Sequence, residues 1–182
     1  GYSGDRVKGL IFCSTKKEAS ELSKKFNETG RYSTIMLCGE NSQEERESAV
    51  ERLVTTNHPH KLDYIFTVDI FNEGVDIPEI NQVIMLRPTE SPIIFVQQLG
   101  RGLRKADGKE FVIVIDFIGN YQNNYMIPIA LSGDRTGNKD NIRRSLMEGN
   151  NLIQGASTIY FDEVSRKRIY ESIDKAKTDS TR

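Results

Sequence analysis

The residues best suited to chemistry in this chain are the two arginines of the stretch QQLGRGLRK, residues 97–105. Arg101 and Arg104 are three positions apart, so on a helix they project from the same face. Arginine keeps its proton, and its planar guanidinium matches phosphate oxygens two at a time. The pair is therefore a candidate grip for a polyphosphate. Basic residues are also common in the last turns of ordinary surface helices, so this segment alone leaves both interpretations open.

A second candidate site is the stretch VDIFNEGVDIP, residues 68–78, which follows an apolar run that ends at Thr67. Loops at the carboxyl ends of parallel strands are where open α/β sheets place ligands. Gly74 lets the backbone approach a ligand, and Asp76 can accept hydrogen bonds from sugar hydroxyls. The same residue types are also typical of a simple turn. The loop lies one strand and one helix ahead of the arginine pair, and this order in the chain favours a ligand-binding loop over a simple turn.

Alternating apolar and amphipathic segments predict the scaffold that positions these loops. Ser14 and Thr15 form a natural N-cap for the first helix, while Ser42 and Glu45 have the spacing of a capping box for the second. Strands are predicted at 7–13, 32–38, 61–68, 82–86 and 111–116, and helices at 16–27, 43–55 and 91–104. Apolar strands that alternate with helices indicate an α/β fold, with an open, mainly parallel sheet covered by helices on both faces.

Beyond residue 131 the sequence becomes polar, and we expect a separate extension over residues 132–182 after a main domain over 1–131. Within the extension, residues 142–147 and 163–176 are predicted helices, the second capped by Asp162, and residues 157–161 are a predicted short strand. Its basic runs, 143–144 and 166–168, have acidic neighbours, which favours ordinary solvated faces over a nucleic-acid path.

Composition limits the function classes. The 182 residues carry 25 basic and 26 acidic side chains, so any attraction to nucleic acid must come from a local patch. Cys13 and Cys38 lie in apolar runs and are expected to be buried, reduced thiols of a cytoplasmic protein. No metal site is predicted, and no apolar run is long enough to cross a membrane. The opening GYSG is typical of a cut point or tag, so the chain is expected to be part of a longer protein.

Three motifs in order resemble those of the second RecA-like domain of superfamily 2 helicases and translocases, DEAD/DEAH types included, over about residues 7–129. GLIFCSTKKEA resembles motif IV, TVDIFNEGVDIPEINQVIML resembles motif V with its trailing strand, and QQLGRGLR matches the Q-x-x-G-R-x-x-R form of motif VI. The segment LCGENSQEERESAV also resembles the loop and helix that follow the second strand in that family.

The resemblance implies a role for each matching residue at an ATP site. Arg101 and Arg104 would reach the γ-phosphate across an interdomain cleft, with Arg104 as the arginine finger, and Gln97 would position the attacking water or the phosphate. Gly74 and Asp76 would contact the nucleotide, Asp76 at the ribose.

The resemblance also implies a nucleic-acid track. Thr67, Gly39, Ser42 and Ser14 would contact phosphates of the strand, because backbone amides and hydroxyls suit a translocase that holds any sequence. Leu103 replaces a glycine found in many RNA helicases with a DEAD motif, and a glutamine replaces their histidine at position 97. The partner is therefore expected to be DNA more than RNA.

What is missing from the sequence is also informative. It contains no G-x-x-x-x-G-K-[ST] phosphate loop, and TIYFDE, residues 158–163, is better explained by a helix cap than by a metal-binding Asp-Glu pair. The phosphate cradle and the Mg²⁺ that accompanies ATP are therefore assigned to an N-terminal RecA-like domain of the same protein, without which this segment should not hydrolyse ATP. The alternative is a non-catalytic nucleic-acid or protein interaction module that retains the fold.

Overall fold

A computed structural model of the chain describes residues 6–68, 70, 77–87, 112–116, 138–148 and 162–175. The chain divides into two compact units, one of residues 1–87 and 97–117 and the other of residues 88–96 and 118–182. The predicted boundary between residues 131 and 132 lies outside the described residues and stays a prediction.

Nine elements are described, and each coincides with a segment predicted from the sequence. The first unit contains β1 (Gly9–Phe12), α1 (Lys16–Glu28), β2 (Thr34–Leu37), α2 (Gln43–Val54), β3 (Tyr64–Thr67), β4 (Gln82–Met85) and β5 (Ile113–Asp116), and the second contains α3 (Lys139–Glu148) and α4 (Glu163–Lys175). The strands are a few residues shorter than the apolar runs that predicted them. The predicted helix 91–104 and strand 157–161 lie outside the described residues.

The five strands form one parallel sheet in the order β2-β3-β1-β4-β5. This arrangement confirms the predicted α/β class and places the first strand of the chain in the middle. Side chains on both faces of β1 and β3 are buried: Leu10, Ile11, Phe12, Ile65 and Phe66 are each no more than 1% exposed. Since successive residues of a strand point to opposite faces, the centre of the sheet is covered on both sides, as predicted.

On one face, α1 packs against β2 and β3 through a cluster of aromatic rings. The ring of Phe26 meets the rings of Tyr64 and Phe66 edge to face, with centroids 5.9 and 5.2 Å apart. Tyr32, just before β2, completes the cluster at 5.4 Å from the Tyr64 ring. Such edge-to-face pairs add to the stabilisation from burial, so this cluster fixes α1 on the sheet.

The ring of Tyr64 extends over a glycine of the neighbouring strand. Tyr64 on β3 and Gln82 on β4 are both in register with Gly9 on β1, which lies between them. The buried hydroxyl of Tyr64 donates to Oε1 of Gln82 at 2.6 Å. A Cβ atom placed on Gly9 would lie 2.3 and 2.5 Å from two carbons of the Tyr64 ring. Only a glycine fits at this position while the tyrosine spans β1.

The C-terminal end of α2 is held by Arg6. Its guanidinium donates to the carbonyl oxygens of Leu53 and Leu62, both at 2.6 Å, and to that of Thr55 at 3.1 Å. Nε of Arg6 also lies 3.9 Å from a carboxylate oxygen of Asp63. The last carbonyls of a helix have no partner within it, so one arginine satisfies this helix end and ties it to the start of β3.

In the second unit, Asp162 caps α4 as predicted. Its carboxylate accepts hydrogen bonds from the backbone N–H and the hydroxyl of Ser165, and the hydroxyl contact holds the pKa of Asp162 below its ordinary value. Arg143 of α3 pairs with Asp140 and with Asp174 of α4. This basic residue therefore has acidic partners, in agreement with the solvated-face interpretation.

In the part of the chain that the structure describes, no helix combines the length and apolarity needed to cross a membrane.

Candidate nucleic-acid interface

Three predicted nucleic-acid contacts lie in loops that leave the same edge of the sheet. Leu37, Thr67, Phe12, Met85 and Asp116 form a row across the carboxyl ends of the five strands. Neighbouring strands are about 4.8 Å apart, so the loops after β1, β2 and β3 begin within about 10 Å of each other. The sheet therefore brings together segments that are far apart along the chain.

The loop after β1 is short and ends in a polar helix cap. Thr15 Oγ1 accepts from the backbone N–H of Glu18 at 3.1 Å, while the carboxylate of Glu18 accepts from the backbone N–H of Ser14 at 2.8 Å. Ser14 itself is exposed, two residues beyond the row. Its hydroxyl is therefore accessible, but its amide already has an internal partner.

The loop after β2 is held by two side chains that follow its exposed tip and bond back to the backbone before it. Asn41 Oδ1 accepts from the N–H of Cys38 at 2.8 Å, and Arg46 donates to the carbonyl of Gly39 at 2.9 Å. Ser42 and Glu45 form the predicted capping box. The backbone N–H of Glu45 donates to the Ser42 hydroxyl at 3.2 Å, and the N–H of Ser42 donates to the Glu45 carboxylate at 2.7 Å. Gly39 is exposed, and Ser42 is exposed as well. The loop thus offers a rigid polar surface at the edge of the sheet.

Thr67 differs from the other predicted contacts because it is fully buried. Its hydroxyl donates to the carbonyl of Ile70 at 3.1 Å and so shapes the start of the loop that follows β3. In this structure Thr67 positions the loop, and its predicted direct contact with a phosphate stays a prediction.

An ion pair that the sequence did not reveal joins the first residue of α1 to the loop after β2. Nζ of Lys16 lies 2.5 Å from Oε1 of Glu40, and both side chains are largely exposed, by 52% and 78%. Their hydrogen bond raises the pKa of Lys16 and lowers the pKa of Glu40. In the sheet, β1 and β2, which precede α1 and this loop, lie on either side of β3. The pair therefore lies at the same edge as the predicted nucleic-acid contacts.

The two cysteines beside this edge are free and buried, as predicted. Burial, with the nearby Glu18 carboxylate, raises the pKa of the Cys13 thiol to about 12. Within the described ranges, no three His, Cys, Asp or Glu side chains are grouped so that they could hold a metal ion.

The predicted nucleotide residues Gly74, Asp76, Gln97, Arg101 and Arg104 lie outside the described residues. The chain nevertheless fixes where their segments begin. Residues 68–81 connect β3 to β4, and residues 86–112 connect β4 to β5. Both connections start at the carboxyl edge that carries the loops described above. The roles of these five residues stay predictions.

Comparison with known proteins agrees with this architecture. Residues 3–106 match the family model of the helicase conserved C-terminal domain. A relative from Saccharomyces cerevisiae, "Putative ATP-dependent helicase IRC3", is 31% identical over 110 residues, which cover 60% of this chain and 15% of the relative. A 51.5 kDa protein from a Lactococcus phage is 25% identical over 114 residues, covering 63% of this chain and 24% of that protein.

Solved structures show the same fold. The ATP-dependent Type ISP restriction-modification enzyme LlaBIII bound to DNA aligns with a TM-score of 0.59 at 22% identity, covering 95% of this chain and 13% of the enzyme. The yeast DEAD-box splicing factor Prp28 aligns with a TM-score of 0.58 at 17% identity, covering 94% of this chain and 32% of the factor.

The parallel sheet, with its polar loops at one edge, defines a RecA-like domain. The chain belongs to the family of the helicase conserved C-terminal domain. It spans between about a seventh and a quarter of the length of the first relatives above.

Proposed function

We propose that this chain is the second motor domain of an ATP-dependent helicase or translocase. ATP with its Mg²⁺ binds between this domain and an N-terminal RecA-like domain that supplies the phosphate loop and most of the metal ligands. Hydrolysis opens and closes the cleft, and alternating grips move the protein along the strand. Alone, this domain does not hydrolyse ATP, because it lacks the phosphate cradle.

The observation that carries this proposal is the shared carboxyl edge of the sheet. The exposed loops of Ser14, Gly39 and Ser42 lie at this edge. The connections that contain Asp76 and Arg104 begin at the same edge, and the family match covers all of them. Open α/β sheets bind ligands outside the carboxyl ends of their strands, so a single edge serves both the nucleotide and the nucleic acid.

At the nucleotide, Arg104 stabilises the charge that develops on the transferred phosphoryl group, and Arg101 binds the γ-phosphate beside it. Gln97 positions the attacking water or the phosphate. Gly74 allows close approach of the backbone, and Asp76 accepts hydrogen bonds from the ribose.

At the nucleic acid, the exposed loops contact phosphates and leave the bases unread. Ser14 and Ser42 offer hydroxyls, and Gly39 offers an exposed backbone with no side chain, while Thr67 positions the neighbouring loop through its bond to Ile70. DNA is the favoured partner, since the GRGLR ending with Leu103 resembles the DNA-directed branch of the superfamily.

The test is the substitution Arg104→Ala in the full-length protein, with Lys105→Ala as a neighbouring control that removes the same charge. An arginine finger raises the rate of hydrolysis about 10³-fold to 10⁵-fold, so nucleic-acid-stimulated ATP hydrolysis by Arg104→Ala should fall to background. Binding of an ATP analogue should change only a few-fold, and the control should retain turnover. Turnover that survives Arg104→Ala would exclude the finger assignment.

Separate titrations of the ATPase with single-stranded DNA, duplex DNA and RNA identify the partner. Stimulation by DNA at lower concentrations than by RNA is expected, and the reverse order would overturn the DNA preference. A full-length protein that binds nucleic acid but never hydrolyses ATP would instead be the non-catalytic interaction module.

A further inference from the structure

The Lys16–Glu40 ion pair has the properties of an exchangeable contact. Its partners are 24 residues apart, Lys16 at the start of α1 and Glu40 in the loop after β2, and both side chains are more than half exposed. Exposed ion pairs contribute little to stability, because water screens them and two long side chains must be ordered. The pair is therefore not needed to hold the fold, although it joins the start of α1 to a loop of the proposed nucleic-acid track.

Other carboxylates at this edge behave differently. Glu18 bonds the amide of Ser14, and Glu45 bonds the amide of Ser42, each within the first turn of its own helix. Such bonds are fixed by helix geometry and cap the helices. Glu40, in contrast, reaches across to a cation on another element. Among these contacts, Lys16 is the charged donor, and its exposed side chain can change rotamer.

Hydrogen bonds hold the backbone around Glu40: after it, the N–H of Asn41 donates to the carbonyl of Cys38 at 3.2 Å. Asn41 accepts a hydrogen bond from the N–H of Cys38, and the guanidinium of Arg46 donates to the carbonyl of Gly39. The carboxylate of Glu40 therefore stays close to Lys16 even when their contact opens. A tethered partner of this kind competes at a high effective concentration with any ligand from solution.

We propose that Lys16 binds a phosphate of the nucleic-acid strand and that Glu40 is its built-in competitor, taking Lys16 back when the strand is released. This inference rests on the proposed function and adds a residue and a release mechanism to its track. A phosphate can replace the carboxylate because both are anionic oxygen ligands of an ammonium group. Competition by Glu40 lowers the affinity of Lys16 for the phosphate. A lower affinity suits a motor that must release the strand at every step.

The first experiment compares Lys16→Ala with Lys17→Ala in the full-length protein. Lys17 is the neighbouring residue of α1 and loses the same charge, but it lies 85% exposed and pairs with Glu21 along its own helix. The probe is binding of fluorescent oligo(dT), measured between 50 and 300 mM salt. One phosphate contact to single-stranded DNA contributes about 0.7 to the salt slope and about a factor of five at 0.1 M salt. We expect these losses for Lys16→Ala and less than a twofold change for Lys17→Ala.

The second experiment tests the competition through Glu40→Gln, with Glu44→Gln in the first turn of α2 as the matched control. Removing the competitor should tighten binding about twofold to fivefold, the range of an exposed ion pair, with the salt slope unchanged. The decisive measurement is the double variant Lys16→Ala/Glu40→Gln. If Glu40 acts through Lys16, the tightening disappears in the Lys16→Ala background.

The outcomes separate this inference from the proposed function. If Lys16→Ala and Lys17→Ala weaken binding equally, or if Glu40→Gln tightens binding in both backgrounds, the exchange is wrong although the protein still binds nucleic acid. Equal tightening would mean general charge repulsion. If the unchanged full-length protein binds neither DNA nor RNA, the proposed function itself fails.

Discussion

Gly9→Ala tests the close packing of the Tyr64 ring against β1. The added Cβ would lie 2.3 and 2.5 Å from carbons of the Tyr64 ring, about 1 Å closer than ordinary contact. The ring must therefore move away from β1, and its hydroxyl would lose Oε1 of Gln82, now 2.6 Å away. Because Tyr64 also packs against Phe26, this movement would disturb the aromatic cluster that holds α1.

The cost follows from three contributions. Overpacking costs about 1–3 kcal/mol, and a buried polar group that loses its partner costs about 1–3 kcal/mol. Replacing a strand glycine returns about 0.5–1 kcal/mol of backbone entropy. The free energy of unfolding should therefore fall by about 3 kcal/mol, which corresponds to a melting temperature about 6–12 °C lower for a chain of this size. Urea and thermal unfolding followed by circular dichroism would measure both.

Two further variants make this test specific. Gly39→Ala is the matched control, since no atom lies within 4 Å of the place where its new Cβ would stand, and it should change stability by less than about 0.5 kcal/mol. Tyr64→Val removes the ring, so adding Gly9→Ala to that variant should cost almost nothing more. A Gly9→Ala penalty that is the same with and without the tyrosine ring would refute the steric explanation.

Two other predictions concern the candidate site. Ser42→Asp keeps an N-cap residue of equal quality, so the free energy of unfolding should change by less than about 0.5 kcal/mol. The new negative charge should nevertheless weaken DNA binding several-fold. If Ser42→Asp and the control Ser48→Asp, on the same helix, bind DNA equally well, Ser42 is not a nucleic-acid contact. Cys13 keeps its proton up to about pH 12 when folded, whereas an unfolded thiol loses it near pH 8.5. Between these values the unfolded state binds fewer protons, so stability should fall as pH rises, and Cys13→Ala should flatten that slope in urea unfolding at pH 8 to 10; parallel slopes would contradict it.

Local features of this fold could be predicted because they depend on neighbours in the chain. Ser42 and Glu45 identify their capping box by spacing alone, and the apolar runs identify all five described strands. The loops at the carboxyl edge followed from the alternation of strands and helices. Their nucleotide-binding counterparts rest on the family resemblance, since those residues lie outside the described part of the chain.

Long-range contacts could not be predicted, because they depend on strand order. Nothing in the sequence near Gly9 shows that β1 lies between β3 and β4, where the ring of Tyr64 must cross it. The ion pair of Lys16 with Glu40 likewise requires the start of α1 to meet the loop after β2. Arg6 precedes the first strand and has no motif around it, yet it holds a helix end about 50 residues away.

The central position of β1 has a consequence for how the chain folds. β1 is made before the other four strands of the sheet, but its partners are Tyr64–Thr67 and Gln82–Met85, which leave the ribosome much later. Its buried, wholly apolar residues therefore have no strand to pair with while the first half of the domain is synthesised. Sheets with non-local parallel pairing form slowly, and their apolar, aggregation-prone segments stay exposed until the strands pair. We therefore expect this domain to depend on chaperones during synthesis more than a fold whose neighbouring strands follow each other in the chain.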